Sequence, residues 1–222
     1  MSFIKSTIGR KILMAISGVF LMVFLLQHLA INFLSVISAD LFNEISHFMG
    51  TNFFVQFILQ PILILGFLFH LLLGVYLDFK NRLNRSEKYI INHPKNNSSW
   101  VSRNMIITGI MILLFLCLHF YDFWIPEIKY KYIATMPEDP TRYFHELEHK
   151  FYDGWRVAIY CISFVFLSLH LLHGFASSFQ SVGLKNKDKK TIIEKLSYCY
   201  SVIVPSGFIF IALFHYINSL TI

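Results

Sequence analysis

Four histidines interrupt apolar stretches of this 222-residue chain: His28 in LLQHLAIN, His70 in FHLLLGVY, His119 in LHFYDFW and His170 in LHLLHGFASSFQSVG. Imidazole ligates metals, carries protons and bonds to polar neighbours. Inside hydrocarbon an ionisable group is costly enough that its presence points to function. A proton relay or a satisfied bond between helices would explain one such residue. Four, each on its own stretch, point to something held between the stretches.

The elements that must position them follow from composition. The chain is 55% hydrophobic and 14% charged, with a mean hydropathy of +0.56. About 20 apolar residues cross a bilayer core as a helix, and five runs are long enough: 12–36, 55–79, 103–125, 156–178 and 197–220. The connections are all shorter than a domain. The expected fold is therefore a single all-α membrane bundle of five transmembrane helices over 1–222. The first stretch runs too far to be a cleavable signal, so it is read as a retained span. Cys117, Cys161 and Cys199 stand apart in or beside apolar runs. They read as buried free thiols rather than a disulfide or iron–sulfur framework.

Charge sets an orientation. Of the 19 Lys and Arg, three lie in the N-terminal tail (Lys5, Arg10, Lys11). Six lie between spans two and three (Lys80, Arg82, Arg85, Lys88, Lys95, Arg103), and five between spans four and five (Lys185, Lys187, Lys189, Lys190, Lys195). The positive-inside rule puts these on the cytoplasmic face, with the N-terminus inside and the C-terminus outside. Orientation accounts for this basic face, and nothing in the sequence calls for nucleic acid.

At 1.5 Å rise per residue each histidine acquires a depth. Measured from the inner end of its span, His28 lies about 24 Å in, His119 about 24 Å, His70 about 13 Å and His170 about 12 Å. They fall into an outer pair and an inner pair, each drawn from alternate helices, with the levels about 11 Å apart. Two stacked haems, each taking one imidazole from either side, require this arrangement. Gly74 and Gly174 follow His70 and His170 by four residues and lower the helix surface on the same face. Gly18 lies on nearly the His28 face at the inner level, where it either clears a haem edge or serves ordinary small-residue packing. His170 and His173 are three residues apart, and spacing alone does not choose between them.

Five segments, LLQHLAIN, LFNEISHFMG, FHLLLGVY, LHFYDFW and LHLLHGFASSFQSVG, recur in order over nearly the whole chain. By them it resembles the five-helix, di-haem cytochrome b subunit of succinate:quinone oxidoreductases, the succinate dehydrogenases and quinol:fumarate reductases. The resemblance implies inner-haem ligands His70 and His170 and outer-haem ligands His28 and His119. Its ligand-then-glycine spacing selects His170 over His173, which becomes a neighbour near the inner surface. It further implies two haem b cofactors and a bacterial cytoplasmic membrane. A flavoprotein and an iron–sulfur subunit would sit on the cytoplasmic face and convert succinate or fumarate. Electrons would pass from the iron–sulfur clusters through the inner and outer haems to a quinone, menaquinone for this type.

A quinone site near the outer haem needs an apolar slot with a polar, proton-carrying group. The candidates are Glu44, His47, Asn52, Gln56 and His215. Arg10, Lys11, Arg82 and Arg103 are candidates for pairing with inner haem propionates. His145 and His149 in FHELEHKF lack the H-E-x-x-H spacing and read as a solvated helix end. His93 reads as a loop residue. Two other readings fit the same residues: a di-haem cytochrome b of a hydrogenase or formate dehydrogenase, and a transporter whose histidines carry protons.

Overall fold

The computed structural model describes residues 6–83, 103–184 and 190–221, and these are all-helical. His93, Lys5, Arg85, Lys88, Lys95, Lys185, Lys187 and Lys189 lie outside the described residues. Five helices are long and apolar enough to cross a membrane: α1 (Thr7–Ile37), α3 (Val55–Leu83), α4 (Met105–Ile133), α6 (Gly154–Ser181) and α7 (Lys190–Ser219). Two short helices, α2 (Ala39–Thr51) and α5 (Arg142–Lys150), lie between spans at one end of the bundle.

Small polar residues set the boundaries. Ser6 Oγ accepts from Gly9 N at 2.9 Å and starts α1. Ser38 closes α1, its amide donating to Leu34 O, and opens α2, its hydroxyl accepting from Leu41 N. Asn52 Oδ1 accepts from the Phe54 and Val55 amides at the start of α3, and Asp153 Oδ1 accepts from Trp155 N at the start of α6. Each satisfies amides that a helix start leaves without a partner.

The third span is longer than its apolar run. Hydropathy ends near residue 125, but α4 continues to Ile133 through wider π-turns at Phe120–Trp124 and Lys129–Ile133. Within the extension Glu127 pairs with Lys131 and with Arg142 of α5. Such pairs remove the cost that polarity in a helix near the membrane surface would carry. The chain then leaves the helix at Thr135, whose φ is +45°.

Helices α6 and α7 pack most extensively on each other, with α1 against both. The densest core lies towards the α2–α5 end, where Phe42, Leu147, Phe151, Tyr160, Phe164 and Phe208 cluster. Elsewhere large apolar side chains point outward, among them Leu65, Leu72 and Trp155, the surface a bilayer solvates. The thiols are free, but Cys117 and Cys199 are exposed and Cys161 is half-buried. The expectation that all three are buried is therefore corrected: a small hydrophobe in a membrane chain needs no protein core, since hydrocarbon covers it. Helix α3 is the outlier. Its Gln60–Leu83 portion contains no buried residue, although His70 faces inward. A span that faces hydrocarbon along most of its length has this exposure, and His70 is the residue that reaches Ser17 of α1.

Candidate haem-binding site

The predicted outer histidines meet. The His28 and His119 ring centres lie 5.8 Å apart, edge to face. Two imidazoles ligating one metal ion at about 2 Å each have ring centres roughly 6 Å apart, so the separation suits an axial pair. Aromatic rings line the place: Phe24 stacks on His28 and Phe208 lies against it, while Phe115 and Phe123 flank His119. His119 Nδ1 is buried with no hydrogen-bond partner.

The predicted inner histidines are held by hydroxyls on other helices. Ser17 Oγ of α1 lies 3.0 Å from His70 Nδ1, and Thr108 Oγ1 of α4 lies 3.1 Å from His170 Nδ1. Gly18 brings α1 close to the His70 ring: a Cβ there would stand 3.4 Å from its Cε1 and 3.2 Å from Ser178 Oγ on α6. Gly109 stands in the same relation to His170, at 3.7 Å from Cε1. Gly174 opens on free space, whereas Gly74 packs against Met14. His173 is half-buried and within electrostatic reach of His170.

All four histidines are half-buried rather than sealed. Among the described residues no group of three or more His, Cys, Asp or Glu side chains is placed to hold a bare metal ion. A haem brings its equatorial ligands with it and asks the protein for axial groups only. The opposed outer rings, the free Nδ1 of His119, the open face of Gly174 and the loosely packed α3 all fit such a group.

Sequence reasoning missed Ser17, Thr108, Gly109 and Asp122. Hydroxyls within spans read as helix packing and carried no distinguishing signal. Asp122 did carry one, being an acid inside LHFYDFW. It is 1% exposed. Its Oδ2 accepts from Tyr160 OH at 3.0 Å and pairs with Arg156 Nε at 3.4 Å. An acid on α4 is thereby tied to α6 one turn beyond His119.

The five predicted quinone-site residues separate. His47 and Gln56 line a cavity of about 320 Å³ at the α2–α5 end, together with Phe57, Tyr130, Arg142 and Tyr143. Tyr132 OH donates to Gln56 Oε1 at 2.9 Å, and His47 Nδ1 is buried without a partner. Asn52 is occupied in capping α3, and Glu44 is exposed. His215 is 1% exposed, 2.9 Å from Ser35 Oγ and stacked on Phe151. It joins α7 to α1 away from the cavity. The Arg142 guanidinium sits over the Tyr130 and Tyr143 rings. Burial disfavours its charge, but bonds to Glu127 and Glu146 outweigh that and raise its pKa, so it stays cationic. Burial and Glu127 push the Tyr143 phenol up, so it stays protonated. In HELEH, His145 is exposed to solvent, 3.9 Å from Glu148, while Leu147 turns into the core.

Five helices long and apolar enough to cross a membrane define a multi-pass helical membrane protein. Among known proteins the chain is similar to the succinate dehydrogenase cytochrome b558 subunit of Bacillus subtilis (strain 168), 27% identical over 124 residues. That stretch is 54% of this chain and 58% of the relative, so the chain spans little more than half the length of the relative it matches. No family model matches the chain, and no solved structure matches it.

Proposed function

We propose that this chain is the membrane-anchor cytochrome b subunit of a succinate:quinone oxidoreductase, holding two haem b groups in line across the bilayer. His28 and His119 are the axial ligands of the outer group, and His70 and His170 those of the inner. When bound, the haems supply one-electron carriers between a partner's iron–sulfur clusters and a membrane quinone. The residues of this chain hold those groups, screen them from water with aromatic rings, and manage the proton that accompanies quinone chemistry. The flavoprotein and iron–sulfur subunits would dock at the end where α1 begins, the cytoplasmic face by the charge rule.

The observation that carries the reading is the pairing of His28 with His119 across α1 and α4 at ligand spacing. Depth along the spans puts the two residues at one level, and the similarity to a cytochrome b558 subunit supports the cytochrome b reading. The quinone headgroup is assigned to the cavity lined by His47 and Gln56. Glu127, which anchors Arg142 there, is eight residues beyond His119 on α4, or about 12 Å along the axis. Arg142 and the protonated Tyr143 offer hydrogen bonds to a quinone oxygen, and His47 Nδ1, free of protein partners, offers a proton site.

Substituting one axial residue at a time tests the assignment. His28→Ala should remove the outer haem and leave the inner, and His70→Ala should do the reverse, read by haem content and reduced-minus-oxidised spectra of purified protein. Two intact haems in His28→Ala would refute it.

A further inference from the structure

Two dipeptides on different helices make the same contact with different histidines. Ser17-Gly18 on α1 faces His70, and Thr108-Gly109 on α4 faces His170. In each the hydroxyl meets Nδ1, at 3.0 and 3.1 Å. The following glycine lies under Cε1, at 3.4 and 3.7 Å from where its Cβ would be. A second contact gives the hydroxyl bonds a favoured direction. Ser17 Oγ donates to Met14 O at 3.0 Å, and Thr108 Oγ1 donates to Met105 O at 3.0 Å. A hydroxyl has one proton, and here it is given to a carbonyl one turn back. In that arrangement the imidazole meets a lone pair, Nδ1 carrying the hydrogen in both rings and Nε2 presenting its own lone pair. Both hydroxyls are shielded from competing water, Thr108 at 0% and Ser17 at 8% exposure.

The outer pair has nothing equivalent. His119 Nδ1 is buried without a partner. Beside His28 the nearest polar side-chain group is the Asn32 amide nitrogen, 3.4 and 3.5 Å from the ring nitrogens, and that group donates to His28 O at 2.8 Å. A donor cannot take the Nδ1 hydrogen.

We propose that Ser17-Gly18 and Thr108-Gly109 are matched positioning elements that fix the tautomer, tilt and electron-donating strength of the inner histidines, making the inner haem site the preset one of the two. The inference rests on the reading of His70 and His170 as axial ligands. An acceptor on the distal nitrogen orients a ligating imidazole and raises its basicity, and its loss weakens metal binding roughly 10- to 100-fold. A more basic ligand favours the oxidised iron, so losing the acceptor shifts the reduction potential upward. The glycine lets the ring lie against the neighbouring helix, which is what brings Nδ1 within reach of the hydroxyl.

The test uses the purified haem-loaded protein with Ser17→Ala, Thr108→Val and the hydroxyl-retaining Ser17→Thr and Thr108→Ser. Haem loss to apomyoglobin and the midpoint potential of each haem are measured in all four. The expected result is inner-haem loss faster by roughly 10- to 100-fold and a raised inner potential in Ser17→Ala and Thr108→Val. The outer haem, unchanged, reports that each variant is folded, and Thr and Ser restore the wild-type values. Unchanged inner-haem retention and potential, in variants of a protein shown to hold both haems, would overturn the inference and leave the ligands standing. A wild-type protein without a b-type spectrum would overturn the ligand reading and this inference together.

Discussion

A histidine within these spans is distinguished by what its ring nitrogens find. His70 Nδ1 and His170 Nδ1 find hydroxyls, His215 lies against Ser35 Oγ, and His119 Nδ1 finds no hydrogen-bond partner. None of this could be read from residue types, because Ser17, Thr108 and Ser35 are indistinguishable in sequence from the other serines and threonines of the spans. The histidines themselves were legible, since hydrocarbon makes them expensive wherever they occur. The same logic should have singled out Asp122, an acid within an apolar run. Its clamp on Tyr160 and Arg156 fastens the helix that carries His119. Asp122→Ala should therefore cost about 2–3 kcal/mol, the worth of hydrogen bonds to a charged group. Thermal unfolding in detergent, followed by loss of the outer-haem Soret band before the inner, measures it.

The spans were plain in the sequence because a run of apolar residues long enough to cross hydrocarbon has few other uses. Their ends were not. Hydropathy stops where polar residues begin, but α4 continues for eight further residues because Glu127, Lys131 and Arg142 neutralise one another. The helix α2 was equally hidden. LFNEISHFMG has the caps of a helix in Ser38 and Asn52, but it lies in what charge and hydropathy describe only as a connection. Which glycine matters was also a question of packing rather than spacing. Gly74, singled out by its spacing from His70, packs against Met14, while Gly18 sits between the His70 ring and Ser178. A Gly18→Leu substitution forces α1 away from both. It should abolish the inner haem and spare the outer, by the same spectral readout, whereas Gly74→Ala needs only a small shift of a flexible methionine and should keep both.

The whole molecule is a bundle of five membrane-length helices. Its α3 buries none of its Gln60–Leu83 residues, and the four histidines of the spans are half-buried. Van der Waals packing between helices is the main source of cohesion in a membrane bundle, and the proposed occupant of this one would add contacts of the same kind. Two haem b groups are that occupant in this account. Depth along each span sorts the four histidines into two levels, and the fold places the His28 and His119 ring centres 5.8 Å apart. It could not show which neighbouring groups complete each level, because those contacts join residues far apart in the chain, such as Ser17 and His70. The most direct measurement is the haem stoichiometry and spectrum of the purified chain, by pyridine haemochrome and a dithionite-reduced minus oxidised difference spectrum. Two haem b per chain, both low-spin and six-coordinate, is the predicted result. A preparation with intact helical content and no Soret band, or with a single haem that survives loss of His28 and of His70 alike, would contradict it.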